Sequence, residues 1–284
     1  MRSFDCFVGI DWSGDKESWQ KGLQIAVAKP GASPPKLEAG PGPQGRWSRT
    51  EAASFLGKLA REKRALIGID FAFGFPPLPS TMDNLLLDWE YVEGFCRSDT
   101  NFYGGRFFRV ADAPHANLVN SPYFKLPTRC YSARHLRATD RAAAQTKGAT
   151  PQSIFNACGP AQVGPSSISG MRALLKLRQS CGQELSIWPF EELHDKKSAI
   201  VEIFPRYFPL SRNQSPKLAD HSNLNGALAA FDCRPIETAP ASEDEGDALL
   251  SAAALRHLSA DATLFRLPDD SIRREGWIFG VPVP

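Results

Sequence analysis

The chain has 284 residues with 42% hydrophobic and 23% charged content and a mean hydropathy of −0.29, which excludes disordered and collagen-like chains. At roughly 150 residues per domain there is room for one large domain or two small ones, with a core that needs no staples. The net charge of +2, from 33 basic and 31 acidic residues, indicates no nucleic-acid partner by itself, so the distribution of charge matters more than its sum.

A first strand is predicted at Cys6 to Asp11, a short apolar run ended by the turn-prone Trp12-Ser13-Gly14-Asp15. A second is predicted at Gly22 to Lys29. Nine of the sixteen residues from Pro30 to Gly45 are Pro or Gly, leaving a loop with room for a brief strand near Lys36 to Ala39. A helix then starts after Ser48 with Thr50 as candidate cap, and its Ala53, Leu56, Leu59 and Ala60 repeat at helical spacing. Ala65 to Asp70 is nearly all apolar, the pattern of a central strand covered on both faces.

A long irregular stretch follows, from Phe71 to about Glu192, with helices predicted near Met82 to Cys96, Ala133 to Gln145 and Gly170 to Gln179. The core pattern resumes with a strand at Ser198 to Phe204 and a helix at Glu243 to Leu258. This order reads as one α/β domain over residues 1–284, with a core of about 1–75 and 193–284 and an insertion of about 76–192. The longest mainly apolar run, Ala248 to Leu255, falls far short of the ~20 residues that cross a bilayer. No signal-peptide pattern follows Met1, so a cytoplasmic protein without membrane partners is expected. The six cysteines are far apart, without a Cys-x-x-Cys pair, and are read as mostly buried thiols.

Two strands end in the same tripeptide, Gly9-Ile10-Asp11 and Gly68-Ile69-Asp70, and ligands of open α/β sheets bind at such C-terminal strand ends. Glu202 lies inside a strand, on one face with Ile200 and Phe204. It marks either an edge strand with a wet face or a buried carboxylate that must be paired or bind metal. In Ser242-Glu243-Asp244-Glu245-Gly246-Asp247, Ser242 with Glu245 fits a capping box, whereas Asp244 and Asp247 share one helix face. Converging carboxylates repel one another and are tolerated chiefly around a divalent cation, and all-oxygen donors favour Mg²⁺ or Mn²⁺. Such ions support phosphodiester cleavage.

These stretches, with Val201-Glu202-Ile203-Phe204-Pro205-Arg206, Ile187-Trp188-Pro189-Phe190, Gln162-Val163-Gly164 and Glu275-Gly276-Trp277-Ile278-Phe279-Gly280-Val281, resemble the family called domain of unknown function 429. That family is held to be a nuclease of the ribonuclease H-like superfamily. The resemblance spans nearly the whole chain and implies a five-stranded mixed sheet flanked by helices. It also implies Asp11 and Asp70, on the first and fourth strands, as metal ligands and catalytic groups, joined by Glu202 and by one or both of Asp244 and Asp247.

From Arg97 to Lys147 nine basic residues face three acidic ones, an excess of +6 interleaved with aromatics such as Phe102, Tyr123 and Phe124. Basic groups neutralise phosphates and aromatic faces stack bases, so Arg106, Arg109, Arg129, Arg134 and Arg137, with Arg206, are candidate contacts to DNA or RNA. The alternative is that the aromatics are the insertion's own core. His115 and His135 are read as structural. Two other functions stay open: an ATP-binding phosphotransferase or ATPase of the actin and sugar-kinase type, whose first phosphate-binding turn the stretch Gly9 to Gly14 resembles, and a non-catalytic nucleic-acid-binding protein.

Overall fold

The computed structural model describes residues 4–77, 89–96, 102, 123–125, 135–159, 161–194, 197–266 and 269–283. Six strands form one mixed sheet: β1 (Cys6–Asp11), β2 (Gln24–Ala28), β3 (Lys36–Leu37), β4 (Ala65–Asp70), β5 (Leu185–Ile187) and β6 (Ser198–Glu202). They lie in the order β3-β2-β1-β4-β6-β5. The first three pair antiparallel, whereas β1, β4, β6 and β5 run parallel. The α/β class is therefore as expected, with six strands in place of five.

The helices are α1 (Arg49–Glu62), α2 (Trp89–Cys96), α3 (Ala138–Ala143), α4 (Gly164–Cys181), α5 (Tyr207–Ser211), α6 (His221–Ala229), α7 (Glu243–Leu258) and α8 (Asp270–Arg273). The cap of α1 is Ser48, not Thr50: its extended backbone lets the hydroxyl accept the Glu51 N–H. The helix expected from Gly170 begins six residues earlier, where Pro165 fixes the first turn and Asn156 O accepts the Val163 and Gly164 amides. Helices α5, α6 and α8 and strand β5 are too short to give a periodic signal.

The pleat sorts the core. Val8, Ile10, Ile67, Ile69 and Ile200 point to one face, where they meet α1 and α4. Phe7, Leu66, Ala199 and Val201 point to the other, under α6 and α7. Because α4 packs on α1 and β5 joins the sheet, residues 164–187 belong to the core, and the core does not resume only at residue 193. Cys6, Cys181 and Cys233 are buried free thiols. No helix among the described residues is long and apolar enough to cross a membrane.

Candidate acidic site at the strand ends

Strands β1 and β4 pair in register through Gly9 with Gly68 and Asp11 with Asp70, so the repeated tripeptides lie side by side. Residues two apart share a face, so Asp11 follows Gly9, and Asp70 follows Gly68, onto the side covered by α7. The glycines explain how close that helix comes. A Cβ on Gly9 would lie 2.4 Å from Ala248 O and 2.5 Å from Ala252 N, and one on Gly68 would lie 2.8 Å from Leu255 Cδ1. Gly-Ile-Asp thus places a carboxylate two residues beyond the point where α7 closes on the strand, by its backbone at Gly9 and by the Leu255 side chain at Gly68.

Helix α7 brings its own acids. Ser242 Oγ accepts the Glu245 N–H and Glu245 accepts the Ala241 N–H, so Glu245 serves the cap, whereas Glu243 accepts the Leu218 N–H and ties the helix start to the segment before α6. Asp244 and Asp247 are left facing the strand ends. Burial raises the Asp11 carboxyl well above the usual range, and the charges of Asp70, Asp247 and Asp244 push it further. Asp70 is raised well above its ordinary value by burial, then by Asp247 and Glu202. Asp247 is pushed up to about 7 by burial and by Glu243 and Asp244, against the pull of Arg206. Asp244 is raised by burial, against the pull of Lys21. Among the described residues no hydrogen bond or ion pair to the carboxylates of Asp11 or Asp70 is found.

Asp11 and Asp244 line an open cleft of about 370 Å³, with Ser13, Gly14, Asp15 and Ser166 among its walls. The two turns beside the aspartates are tied to the start of α4. Ser169 Oγ accepts the Trp12 indole N–H at 3.0 Å, and Ser167 Oγ accepts the Ala72 N–H at 3.1 Å. Gly170 leaves room for the Phe71 ring, which a Cβ would approach to 2.4 Å. Buried Arg49 donates to the carbonyls of Ser13 and Asp15, fixing the cleft wall. Sequence reasoning missed these supports. The serines sit in a helix whose start was misplaced, and Arg49 is 36 residues from the carbonyl of Ser13.

Two candidate residues have other employment. Glu202 pairs in register with Ile69, not Asp70, and points with Ile200 to the face opposite Asp11 and Asp70. Strand β6 lies between β4 and β5 and Glu202 is 2% exposed, so it is no edge residue with a wet face. Its partner is Arg137, 3% exposed, through Nη1 to Oε2 at 2.8 Å and Nη2 to Oε1 at 2.5 Å, and Oε2 also accepts the Phe73 N–H. Arg137 is therefore buried rather than a surface contact for nucleic acid, and Glu202 is held in an ion pair with it. Burial still raises Glu202 above its ordinary range, although Arg137 opposes this. Burial pulls the Arg137 pKa down, and the carboxylates of Asp140 and Glu202 more than reverse that.

Of the other basic candidates, Arg206 is exposed at the start of α5, while Arg106, Arg109, Arg129 and Arg134 lie outside the described residues, as does His115. Phe124 is buried against Phe155, and Tyr123 meets Phe155 at a tilt and His135 edge-on, so these aromatics pack against one another rather than forming a stacking platform. Among the described residues no group of three or more His, Cys, Asp or Glu side chains is arranged to hold a metal ion. The donors that fit a cation are the paired Asp11 and Asp70: hard oxygens, side by side, crowded by negative charge, and sufficient for Mg²⁺, which keeps several waters and takes one or two carboxylates. Comparison with protein-family models, with characterised proteins and with solved structures finds no match to this chain.

Proposed function

We propose that the chain is a divalent-cation-dependent nuclease of ribonuclease H-like fold that hydrolyses phosphodiester bonds of DNA or RNA. The observation that carries this reading is the in-register pair Asp11 and Asp70 at the C-terminal ends of adjacent parallel strands, crowded by Asp247 and held without a counter-cation among the described residues. Asp11 and Asp70 would hold Mg²⁺ or Mn²⁺. The bound ion supplies positive charge that stabilises the phosphoryl oxygens as they gain negative charge.

The chain's own residues supply the rest. Asp247, with its carboxyl near neutrality, is poised to accept a proton from the attacking water at working pH. Arg206, exposed and within electrostatic reach of Asp247, is the described cation best placed to meet a phosphate. The Trp12 to Asp15 turn, fixed by Arg49 and Ser169, walls the cleft beside Asp11. The test is cleavage of single-stranded, duplex and hybrid substrates with Mg²⁺ or Mn²⁺. Asp11→Asn and Asp70→Asn are each expected to lower the rate by at least about a hundredfold, the scale of a lost electrostatic or acid-base contribution. Full activity in both variants overturns the assignment.

A further inference from the structure

We propose that the substrate is a polynucleotide laid across the strand ends, from Lys21 on one flank of the aspartates to Arg206 on the other, each side chain holding a backbone phosphate. The inference rests on the nuclease reading above and adds to it the course and the minimum length of the strand that is cut.

The sheet sets out the row. Asp11 pairs with Gln24, where the antiparallel β2 begins, so the residues just before β2 lie at the same edge of the sheet as the end of β1. Lys21 is one of them. Strand β6 runs parallel to β4, so its end at Glu202 lies at that edge too, and Arg206 follows in the turn after it. Because β2, β1, β4 and β6 are adjacent in that order, the edge reads lysine, aspartate, aspartate, arginine.

Both cations have fixed backbones and exposed side chains. Around Lys21, the Gln20 N–H donates to Trp47 O at 2.7 Å and Gln24 Nε2 donates to Lys21 O at 2.9 Å. Around Arg206, the Ile203 N–H donates to Ile69 O at 3.1 Å and the Tyr207 N–H to Phe204 O at 2.8 Å. Neither side chain is in an ion pair among the described residues.

They also reach the acids of α7. A Cβ on Gly22, next to Lys21, would lie 3.3 Å from Asp244 Oδ2, and Lys21 draws Asp244 as Arg206 draws Asp247. Attractions between exposed charges beyond contact distance are weak and screened, so both cations are available to a phosphate. Lys21 lies outside the basic stretch from Arg97 to Lys147 that the charge pattern singles out.

The spacing decides the substrate class. From β2 to β6 there are three strand spacings of about 4.8 Å each, which place the two cations about 14 Å apart. At a rise of about 3.4 Å per nucleotide of one strand, that is about four nucleotide steps. A mononucleotide or dinucleotide meets one cation at most, whereas a longer strand meets both with its scissile bond between them.

The experiment measures initial cleavage rates of the full chain with Mn²⁺ on single strands of about two to about twelve nucleotides, with KM read at several salt concentrations. Strands shorter than about four nucleotides are expected to lose about tenfold or more in kcat/KM against longer ones. Lys21→Ala and Arg206→Ala are each expected to lower the slope of log(1/KM) against log salt by about 0.7, and the double variant by about 1.4. Lys36→Ala, toward the other edge of the sheet on β3, is the control and keeps the wild-type slope. An unchanged slope in either single variant overturns the inference, and so do dinucleotides cut as well as long strands; the wild-type activity then leaves the nuclease reading standing. The length series needs no variant to fold. A wild-type protein that cuts no nucleic acid removes the nuclease reading and the inference together.

Discussion

Two carboxylate clusters lie near the strand ends, and they differ in how their charge is met. On the α7 face, Asp11, Asp70 and Asp247 crowd together, and Arg206 and Lys21 act only from the exposed margin. In the other cluster Glu202, Asp140 and Glu275 surround Arg137, and every donor of that arginine is used. Burial disfavours the charged form in both places. The contrast separates two kinds of buried acid: a carboxylate paired with a buried guanidinium has its charge met within the fold, and one held against its neighbours without a partner does not.

The comparison breaks most visibly at Arg137. In Arg137→Met, Glu202 and Asp140 keep their burial and lose their counter-charge, so stability is expected to fall by about 3–5 kcal/mol, roughly 10 °C in Tm. A loss below about 1 kcal/mol in thermal or denaturant unfolding would show that the cluster is not held by this pair. In the aspartate cluster the sign reverses. Asp247 has its folded pKa raised from 3.8 to about 7, so its contribution to stability is full below about pH 4 and is lost as pH rises toward 7. Asp247→Asn is therefore expected to stabilise the cation-free protein at pH 8 by on the order of 2 kcal/mol, after allowance for solvent screening, with the gain shrinking toward pH 4. A pH-independent effect would contradict this.

Two smaller changes sharpen the same contrast. Gly276→Ala inserts a methyl against Glu202 and Arg137 at a positive φ, and a loss of about 1–3 kcal/mol is expected from chemical denaturation. Ser169→Ala removes the acceptor of the Trp12 indole N–H on the side of the cleft and should cost about 1 kcal/mol, readable also in the Trp12 fluorescence. An unchanged protein in either case would mean that the support concerned is not rigid.

Much of the fold was legible. The runs Cys6 to Asp11 and Ala65 to Asp70 appear with their expected bounds because both are interior strands, where continuous apolar sequence and burial coincide. Helix α7 likewise runs from Glu243 to Leu258 as its cap and apolar stretch require. Strand β5 was not legible: three residues at a sheet edge, after a helix that begins earlier than its periodicity, give no pattern of their own. This is why residues 164–187 read as insertion and turned out to be core.

The placement of the strand-end aspartates follows from local pattern. Asp11 and Asp70 each close a Gly-Ile-Asp run, and the glycine two residues before makes the close helix contact that faces the acid toward α7. Local rules reach that far because strand alternation and helix caps span only a few residues. The pairing of Glu202 with Arg137 lies beyond any local pattern: the sequence assigned them to a metal ion and a phosphate, and in the fold they meet each other. Their separation is 65 residues, and the parity that turns Glu202 away from Asp70 depends on the register of β4 against β6. Register is set by the packing of the whole sheet, so no window of sequence around either residue contains it.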